Sequence, residues 1–284
     1  MKVLVLGGNG MAGHMIKDYL TEATSYEIYY TIRGNSEEER CFTLDVLDEQ
    51  SVEALLKQLK PDLVINTTGL LNDNAASLFM EAIYVNSLFP HKLSLYGRQY
   101  GFKVIHISTD CVFSGDRGDY TENERKDGTS VYAKTKSLGE IIDNSNITIR
   151  TSIIGPELKK EGTGLFHWFM HQSGEILGYQ SVYWNGVTTL ELAKAIEWLI
   201  PRSISGLVQL TGAKKISKFE LLNLIKKEFK RDSIVIKAYD QVKSDKSLLN
   251  TRSDFLYKAS SYSQMLAELK GWMDSRKKGI YQYT

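Results

Sequence analysis

The chain is poor in cysteine: its 284 residues include only Cys41 and Cys111, which lie too far apart in sequence to form a Cys-x-x-Cys pair. Two isolated cysteines argue against a disulfide framework and a structural zinc site, and they favour a reducing compartment. The five histidines show no metal-ligand spacing either. We therefore predict a cytoplasmic protein without a bound metal.

Long apolar runs and an excess of one charge are also missing. No segment approaches the length of a membrane span, and the apolar start at residues 1–6 is too short for a signal peptide and predicts a buried strand instead. The 35 Lys and Arg residues nearly balance 34 Asp and Glu residues, for a net charge of +1. A near-neutral chain has no general attraction for nucleic acid or an acidic membrane, so we expect neither as a partner.

The first half of the chain alternates short apolar runs with longer amphipathic segments. The runs predict strands at residues 3–6, 28–32, 63–66 and 104–107. The amphipathic segments predict helices at residues 11–20, 51–59, 78–100 and 132–142. Such alternation predicts a parallel sheet of βαβ units, and continuously apolar strands are typical of a sheet covered on both faces. We predict an α/β fold with a Rossmann-type doubly wound parallel sheet in residues 1–150.

After residue 150 the alternation loosens. Gly155-Pro156 predicts a turn. Later segments predict helices at 190–199, 218–229 and 261–272, and short strands at 206–210 and 233–236. We interpret residues 151–284 as a smaller, mixed α/β C-terminal lobe that binds the substrate, with some of its segments packed back on the first domain.

A glycine-rich loop joins the first strand to the first helix, with the spacing Gly7-x-x-Gly10-x-x-Gly13. Gly7 would allow the tight turn, Gly10 a close approach to a pyrophosphate, and Gly13 packing of the helix on the sheet. The helix N-terminus would offer its free N–H groups to the phosphates. An ordinary glycine turn is the alternative, but the strand–turn–helix context favours dinucleotide binding. The predicted cofactor-binding residues of this loop are Gly7, Asn9, Gly10, Met11 and Gly13.

The second strand ends near Arg33, without an acidic residue beside it. In dinucleotide-binding folds an acid at this place holds the ribose 2′-hydroxyl of NAD, whereas an arginine accommodates the 2′-phosphate of NADP. We predict a preference for NADP(H), with NAD(H) still open, unless Arg33 is only a solvated loop residue. Asp45 and Val46 follow the third strand and are expected to hold and stack on the adenine.

Tyr132 and Lys136 lie four residues apart on a predicted helix, so their side chains share one face. A tyrosine with a pKa of about 10 is a poor acid or base near pH 7, and a neighbouring ammonium group lowers that pKa. Lys136 can also hydrogen bond the nicotinamide ribose. Thr109 follows a fifth strand and could hold a substrate carbonyl while Tyr132 protonates it. The alternative is a surface tyrosine on a basic helix, since the same spacing recurs without support at Tyr239 and Lys243.

Together these residues resemble the extended short-chain dehydrogenase/reductase family and, within it, the dTDP-4-dehydrorhamnose reductase group. Residues 108–113 (Ser-Thr-Asp-Cys-Val-Phe) are similar to that group's Ser-Thr-Asp-Tyr-Val-Phe segment. Residues 120–122, 130–140 and 150–152 resemble the segments that follow it, and residues 243–250 are similar to an Arg-Pro-x-x-Ser-x-Leu-Asp motif. The resemblance covers nearly the whole chain.

The resemblance implies NADPH-dependent reduction of the 4-keto group of a nucleotide-linked 4-keto-6-deoxy sugar, in the synthesis of cell-surface polysaccharide precursors. It also implies that Thr67, Thr68 and Gly69 line the cofactor and that Asn86 supports the active-site geometry. Some members of the group are magnesium-linked dimers, so a homodimer stays open. The residues expected to face the substrate are Thr109, Asp110, Cys111 and Ile153.

Three positions depart from the group's pattern, and all three are expected on the substrate side. Cys111 stands where the group has Tyr, Ile153 where it has Trp, and Val187 where it has the Pro of a glycine-containing turn. The reaction type is therefore better supported than the substrate. A UDP-linked or N-acetylated 6-deoxy sugar stays as open as the dTDP-linked rhamnose precursor.

Three other functions fit parts of the sequence. A dehydratase of the same superfamily would carry a second acid where Cys111 stands, which argues against it. An epimerase-reductase would pair Cys111 with a base across the sugar, and His167 could be that base. The alternative is a small buried Cys111 and an exposed His167. A non-catalytic NADP-binding regulatory subunit, like that of methionine adenosyltransferase, resembles the same group but needs no tuned tyrosine.

Two further clusters follow Gly155-Pro156. Lys159 and Lys160 could contact the substrate diphosphate or lie in a solvated loop. The aromatic residues Phe166, Trp168 and Phe169 are expected to pack within the lobe rather than to stack on a base.

Overall fold

Parallel strands form the large central sheet of the molecule. The computed structural model describes residues 1–276, 279–281 and 283. The sheet contains β1 (Lys2–Leu6), β2 (Glu27–Ile32), β3 (Cys41–Thr43), β4 (Leu63–Asn66), β5 (Lys103–Ile107), β6 (Ile147–Arg150) and β10 (Gly206–Gln209). Their order is β10-β6-β5-β4-β1-β2-β3, and all neighbouring strands are parallel.

Helices cover both faces of this sheet. They are α1 (Met11–Ala23), α2 (Glu49–Leu59), α3 (Asn72–Ser77), α4 (Phe79–Ala82), α5 (Phe89–Tyr100), α6 (Val131–Leu138), α7 (Leu165–Met170), α8 (Thr189–Leu199), α9 (Lys218–Glu228) and α10 (Tyr262–Asp274). Alternate residues of β1 enter two separate cores: Val3 and Val5 pack with α1 and α8, whereas Leu4 and Leu6 pack with α2 and α5. This two-sided burial confirms the predicted Rossmann-type doubly wound sheet.

A smaller lobe contains the remaining strands. In it β8 (Gly174–Trp184) pairs in parallel with β12 (Ile234–Asp245) and antiparallel with β11 (Ile216–Ser217). A separate pair is formed by β7 (Ile153–Ile154) and β9 (Val187–Thr188). The smaller mixed α/β lobe is therefore confirmed as well.

Residues from the second half of the chain also complete the first sheet. Strand β10 pairs with β6 at the sheet edge, and α8 lies against α1, where the Tyr19 hydroxyl donates a hydrogen bond to Glu197 at 2.6 Å. Near the C-terminus Tyr281 contacts His14 of α1 at 3.2 Å. Among the described residues, no helix has the length and apolar character needed to span a membrane.

The single helix predicted at residues 78–100 is wrong in its middle. The structure has α4, then a π-helical turn at Ile83–Leu88, then α5. Pro90 lies in the first turn of α5 and has no N–H for the Asn86 carbonyl, which an unbroken α-helix would require. Gly139, at the end of α6, packs closely against that carbonyl instead. A Cβ atom on Gly139 would lie only 1.9 Å from the Asn86 oxygen. The same contact coincides with the end of α6 at Leu138, four residues before the predicted end.

The two long strands of the small lobe were not predicted at their full length. Strand β12 runs over twelve residues and is mostly half-buried or exposed, and only its start was predicted, at residues 233–236. Strand β8 was not predicted at all. Both are rich in polar residues, because one side of this small sheet faces solvent, and the continuous apolar signal of the central strands is therefore missing.

Candidate active site

A cleft of about 410 Å³ opens at the carboxyl ends of β1, β2, β3 and β4. Nine of the residues predicted to bind a cofactor line it: Gly7, Asn9, Gly10, Arg33, Asp45, Val46, Thr67, Thr68 and Gly69. Several other lining residues were not predicted, among them Leu44, Leu70, Glu81 and Val85. Glu81 lies on α4 and Val85 in a π-helical turn, where no local motif marks a cofactor contact.

The glycine loop has the shape that close contact with a phosphate requires. Gly7 adopts a positive φ of 84°, and the Gly10 N–H donates to the Gly7 carbonyl at 2.9 Å. A Cβ atom on Gly13 would lie 2.1 Å from the Gly7 oxygen, so only glycine fits there. Gly10 begins α1 without a side-chain cap. The first N–H groups of this helix are therefore available to an anion.

Two predicted residues of the loop lie behind it rather than in the cleft lining. Met11 is the first residue of α1, and its sulfur lies near Gly164. Gly13 packs against the loop backbone and the Thr67 hydroxyl. Thr67 itself donates to the Leu6 carbonyl at 2.6 Å and so ties β4 to β1 beneath the loop.

Thr109 and Tyr132 come together where β5 ends. The Thr109 hydroxyl accepts a hydrogen bond from the Cys111 N–H at 3.1 Å and begins a 3₁₀ turn at Asp110–Val112. Ser130 caps α6 by accepting from the Ala133 N–H at 3.1 Å, and this cap fixes the start of the helix that carries Tyr132. Burial raises the pKa of Tyr132, against a smaller opposing effect of the neighbouring Thr109 hydroxyl. The phenol is thus protonated at neutral pH.

Lys136 lies one turn further along α6, with its side chain only about 4% exposed. Its ammonium nitrogen is 2.7 Å from the Ile107 carbonyl and 3.3 Å from His106 Nε2. Both partners belong to β5. The sequence pattern instead predicts that the Lys136 ammonium group acts on Tyr132. Burial lowers the pKa of Lys136 to about 8.

A buried charge network lies behind these residues. Glu140 accepts hydrogen bonds from Arg150 Nε at 2.9 Å and Nη2 at 2.8 Å, from the Ser108 hydroxyl at 2.8 Å and from Lys126 Nζ at 3.0 Å. Arg150 reaches on to Gln209 of β10. The network joins the ends of β5, β6, β10 and α6, and so it fixes the strand end that carries Thr109.

Asp110 and Cys111 face two lysines that the sequence did not point to. Burial raises the pKa of the Asp110 carboxyl, and burial together with Asp110 raises the pKa of the Cys111 thiol to about 11. Lys218 and Lys246 act on both groups through space. No local motif marks these lysines, because α9 and the segment after β12 bring them here from more than a hundred residues away.

Two of the three positions that depart from the family pattern are neighbours. Ile153 of β7 pairs directly with Val187 of β9, and the Val187 N–H donates to the Ser152 carbonyl at 2.9 Å. Ile153 is partly buried and packs against the hydrophobic core.

The structure does not support Cys111 and His167 as an acid–base pair. His167 is buried, contrary to the expectation of an exposed residue. Its ring nitrogens contact the Tyr283 hydroxyl at 2.9 Å and the Lys160 carbonyl at 3.0 Å. Both nitrogens are therefore engaged, and the raised pKa of the Cys111 thiol leaves little thiolate at neutral pH.

The clusters after Gly155-Pro156 differ from each other. Lys159 lines the cleft, while Lys160 is exposed. Phe166 and Phe169 are fully buried, as predicted for packing, but Trp168 is 41% exposed. Among the residues that the structure describes, no group of three or more His, Cys, Asp or Glu side chains could hold a metal ion.

Comparison with known proteins assigns the chain to a family. The family model for the RmlD substrate binding domain matches residues 1–283. The spore coat polysaccharide biosynthesis protein SpsK of Bacillus subtilis (strain 168) is 28% identical over 157 residues, covering 53% of this chain and 52% of that protein. A dTDP-4-dehydrorhamnose reductase of Aggregatibacter actinomycetemcomitans is 26% identical over 157 residues, covering 53% and 51%. The matched segment thus spans about half the length of these relatives.

Solved structures share the fold over nearly the whole chain. The dTDP-4-dehydrorhamnose reductase from Bacillus anthracis str. Ames, determined in complex with NADP, superposes with a TM-score of 0.81 at 19% identity and covers 97% of this chain and 99% of its own. At this identity the likeness establishes the fold alone.

Proposed function

The chain belongs to the RmlD substrate binding domain family, and on that basis we propose that it reduces the 4-keto group of a nucleotide-linked 4-keto-6-deoxy sugar with NADPH. The observation that carries this proposal is the position of Thr109 next to the buried Tyr132 at the carboxyl end of β5, beside the glycine-lined cleft. Ligands of doubly wound sheets bind at this edge. The product would serve the synthesis of cell-surface polysaccharides.

The cleft fits a dinucleotide. Gly7 and Gly10 would let the pyrophosphate approach the backbone at the uncapped N-terminus of α1. Arg33 would meet the 2′-phosphate of NADP, and Asp45 and Val46 would hold the adenine. When bound, the cofactor supplies the hydride. We propose a preference for NADP(H), with NAD(H) as a weaker alternative.

Tyr132 is the proton donor in this proposal. As hydride reaches C4 of the sugar, negative charge develops on the carbonyl oxygen, and the oxygen takes the phenolic proton of Tyr132. The Thr109 hydroxyl, fixed by the Cys111 N–H, would orient that oxygen. Tyr132 carries its proton at neutral pH in the free protein, and the developing alkoxide is a strong enough base to take it.

The test is NADPH oxidation, followed by absorbance, with a panel of enzymatically made 4-keto-6-deoxy sugars in dTDP-linked, UDP-linked and UDP-N-acetylated forms. We expect turnover of one donor and its loss, by at least a hundredfold, in Tyr132→Phe, which keeps the ring and removes the proton. NADPH affinity should stay within about threefold. Tight NADPH binding without turnover of any donor would support a non-catalytic NADP-binding regulatory subunit instead.

The same panel in deuterated water distinguishes reduction alone from epimerisation with reduction. Since the ring nitrogens of His167 are engaged and the pKa of the Cys111 thiol is raised, we expect no solvent deuterium at C3 or C5 of the product. Incorporation at either carbon would establish a bifunctional epimerase-reductase.

We also propose a homodimer in the cytoplasm. Large apolar side chains are exposed at the end of the π-helical turn, on α5, at the end of α6 and in the segment after it: Leu88, Leu95, Leu138 and Ile142. His91 of α5 contacts the Leu138 carbonyl at 2.7 Å, so these side chains lie on one surface. Exposed apolar patches of this kind mark contacts with other proteins. Light scattering should give about twice the chain mass of 32.2 kDa; a monomer at micromolar concentration would refute the dimer.

A further inference from the structure

A chain of buried hydrogen bonds leads from the cleft to Lys136. Thr68, which lines the cleft, contacts Asn66 at the end of β4 through both its N–H (3.1 Å) and its hydroxyl (2.7 Å). The Asn66 amide nitrogen is 3.2 Å from His106 Nδ1 on β5, and His106 Nε2 is 3.3 Å from Lys136 Nζ on α6. Asn66 and His106 are fully buried, so each of these groups depends on its protein partners.

The backbone of Thr68 fixes the direction of every bond in this chain. Its N–H can only donate, and it points at Asn66 Oδ1. The amide group of Asn66 therefore turns its NH₂ toward His106. An amide NH₂ can only donate as well, so His106 Nδ1 must accept. A neutral imidazole with an accepting Nδ1 carries its proton on Nε2.

That assignment creates a conflict at Lys136. The Nε2–H of His106 points at Lys136 Nζ. An ammonium group has three donors and no acceptor, whereas a neutral amine has a lone pair that can accept. The buried pair is fully hydrogen bonded only when Lys136 is neutral. With a charged Lys136, either the Nε2–H or the Asn66 NH₂ faces another donor, and a buried contact is lost.

We propose that His106 is a positioning residue that presents an N–H, rather than a lone pair, to Lys136 and thereby favours the neutral amine of this lysine. Thr68 and Asn66 set the tautomer that makes His106 act in this way. The fixed tautomer of His106 therefore acts on Lys136, the residue whose ammonium group was predicted to lower the pKa of Tyr132.

The surrounding charges agree with this assignment. Glu140 is the acidic group that acts on Lys136, but its carboxylate is bound by Arg150 and Lys126. The imidazole of His106 is influenced by Lys136 and, more weakly, by His91. The other polar neighbour of Lys136 is the Ile107 carbonyl, which accepts one N–H from either charge state.

Burial acts in the same direction as the hydrogen bonds. It lowers the pKa of Lys136 to about 8, and it lowers the pKa of His106 well below its ordinary value of 6.5. Both groups therefore lose their protons more readily than they would in water.

The consequence for chemistry rests on the reductase function proposed above. An ammonium group at Lys136 would stabilise a tyrosinate at Tyr132, whereas a neutral amine leaves the phenol protonated. Reduction of a ketone begins with the protonated phenol. His106 would thus keep Tyr132 protonated up to a higher pH than a charged Lys136 would allow.

The first experiment needs neither cofactor nor substrate. Long-range ¹H–¹⁵N NMR of the full chain reports the tautomer of each histidine, and His106→Gln assigns the His106 signals by removing them. His91→Gln, the same change on an exposed histidine of α5, is the matched control. We expect His106 to carry its proton on Nε2 at neutral pH. A proton on Nδ1, or on both nitrogens, would overturn the proposal.

The second experiment reverses the chain of bonds. In Asn66→Asp one carboxylate oxygen still accepts from Thr68, and the other now accepts from His106 Nδ1–H, which leaves Nε2 as an acceptor for an ammonium group. We expect the NMR pKa of Lys136, followed at its Cε, to rise from about 8 toward 10.5, together with the Nδ1–H tautomer. An unchanged tautomer with an unchanged lysine pKa would refute the assignment.

His106→Gln keeps the proposal testable if Asn66→Asp does not fold. Its amide can turn a carbonyl oxygen toward Lys136, so the lysine pKa should again rise. Because the ammonium form stabilises a tyrosinate at Tyr132, the high-pH limb of the kcat/KM profile should then move to lower pH. The His91→Gln control should leave both unchanged. The tautomer and the lysine pKa are measured on the free protein, without cofactor or substrate. They can therefore refute the proposal about His106 while the reductase function holds, and absence of turnover can refute the reductase function while the His106 assignment holds.

Discussion

Burial shifts the pKa values of Tyr132 and Lys136, the two side chains that α6 brings to the site, in opposite directions. It disfavours the charged form of each group, so the pKa of Tyr132 rises while the pKa of Lys136 falls to about 8. At neutral pH the tyrosine therefore keeps its proton and the lysine is close to losing one. The raised pKa keeps the proton on Tyr132 in the free protein but makes the phenol a weaker acid, so proton donation depends on the basicity of the developing alkoxide.

Arg33 offers a prediction about the cofactor at the same scale. Removing its guanidinium in Arg33→Ala should cost the 2′-phosphate a charged hydrogen bond, worth about 1.5–3 kcal/mol. We expect kcat/KM to fall roughly ten- to a hundredfold with NADPH and to change less than twofold with NADH. Arg40→Ala is the control, because Arg40 lies over the Tyr29 ring outside the cleft lining. An unchanged NADPH/NADH ratio in Arg33→Ala would mean that Arg33 is a solvated loop residue.

Most of the residues predicted to bind a cofactor line the cleft, whereas the lysines that face Asp110 were not predicted. The glycine loop, Arg33 and Thr67 follow strands directly, so local sequence determines where they lie. Lys218 and Lys246 reach Asp110 only because α9 and β12 pack beside β8. No short-range pattern records a contact between residues more than a hundred positions apart.

At the scale of elements, the π-helical turn shows how tertiary contacts override a local pattern. The apolar periodicity of residues 78–100 continues through the turn and predicts an unbroken helix. Asn86 breaks the regular ladder, since its side chain bonds both the N–H and the carbonyl of Leu70 at 2.9 Å and also reaches Thr135. The turn thus places Asn86 between Leu70, which lines the cleft, and Thr135 of α6.

Gly139 gives the prediction for this contact. In Gly139→Ala the new methyl group would lie within 1.9 Å of the Asn86 oxygen, so α6 must shift. We expect a loss of about 1–3 kcal/mol in unfolding free energy, measured in urea, and a fall in kcat larger than that in NADPH affinity. Gly271→Ala on α10, where a Cβ meets nothing within 4 Å, should instead stabilise by about 0.5–1 kcal/mol. Equal effects of the two changes would contradict the packing argument.

At the scale of the whole molecule, the Glu140 network joins the two halves of the chain. Arg150 is among the largest fully buried side chains, and its contacts reach α6 through Glu140 and β10 through Gln209. Burial tends to raise the pKa of Glu140, but Arg150 and Lys126 outweigh it and the net shift is downward. A carboxylate with a lowered folded-state pKa contributes stability above its unfolded value of 4.5 and loses it as pH falls through the lower, folded value.

Glu140→Gln should therefore change both stability and its pH dependence. Leaving Arg150 buried without a charged partner should cost about 3–5 kcal/mol at pH 7, and the decline of stability below pH 4.5 should be shallower by one proton. Glu175→Gln, which breaks an exposed pair with Lys237, should cost less than about 1 kcal/mol. Parallel stability–pH curves for Glu140→Gln and the unmodified chain would show that the network carries no net charge interaction.

The late position of β10 in the chain has a consequence for how the protein is made. A ribosome releases the cleft, Thr109 and Tyr132 first, while β6 still has a bare edge and Arg150 still lacks Gln209, which follows it by 59 residues. At about 5–20 residues per second, that interval lasts roughly 3–12 s. Throughout it, the nascent chain displays an unpaired hydrophobic strand, the kind of surface that invites aggregation. Each copy of the protein therefore passes through a brief stage at which the unpaired edge of β6 is exposed and a chaperone can bind it.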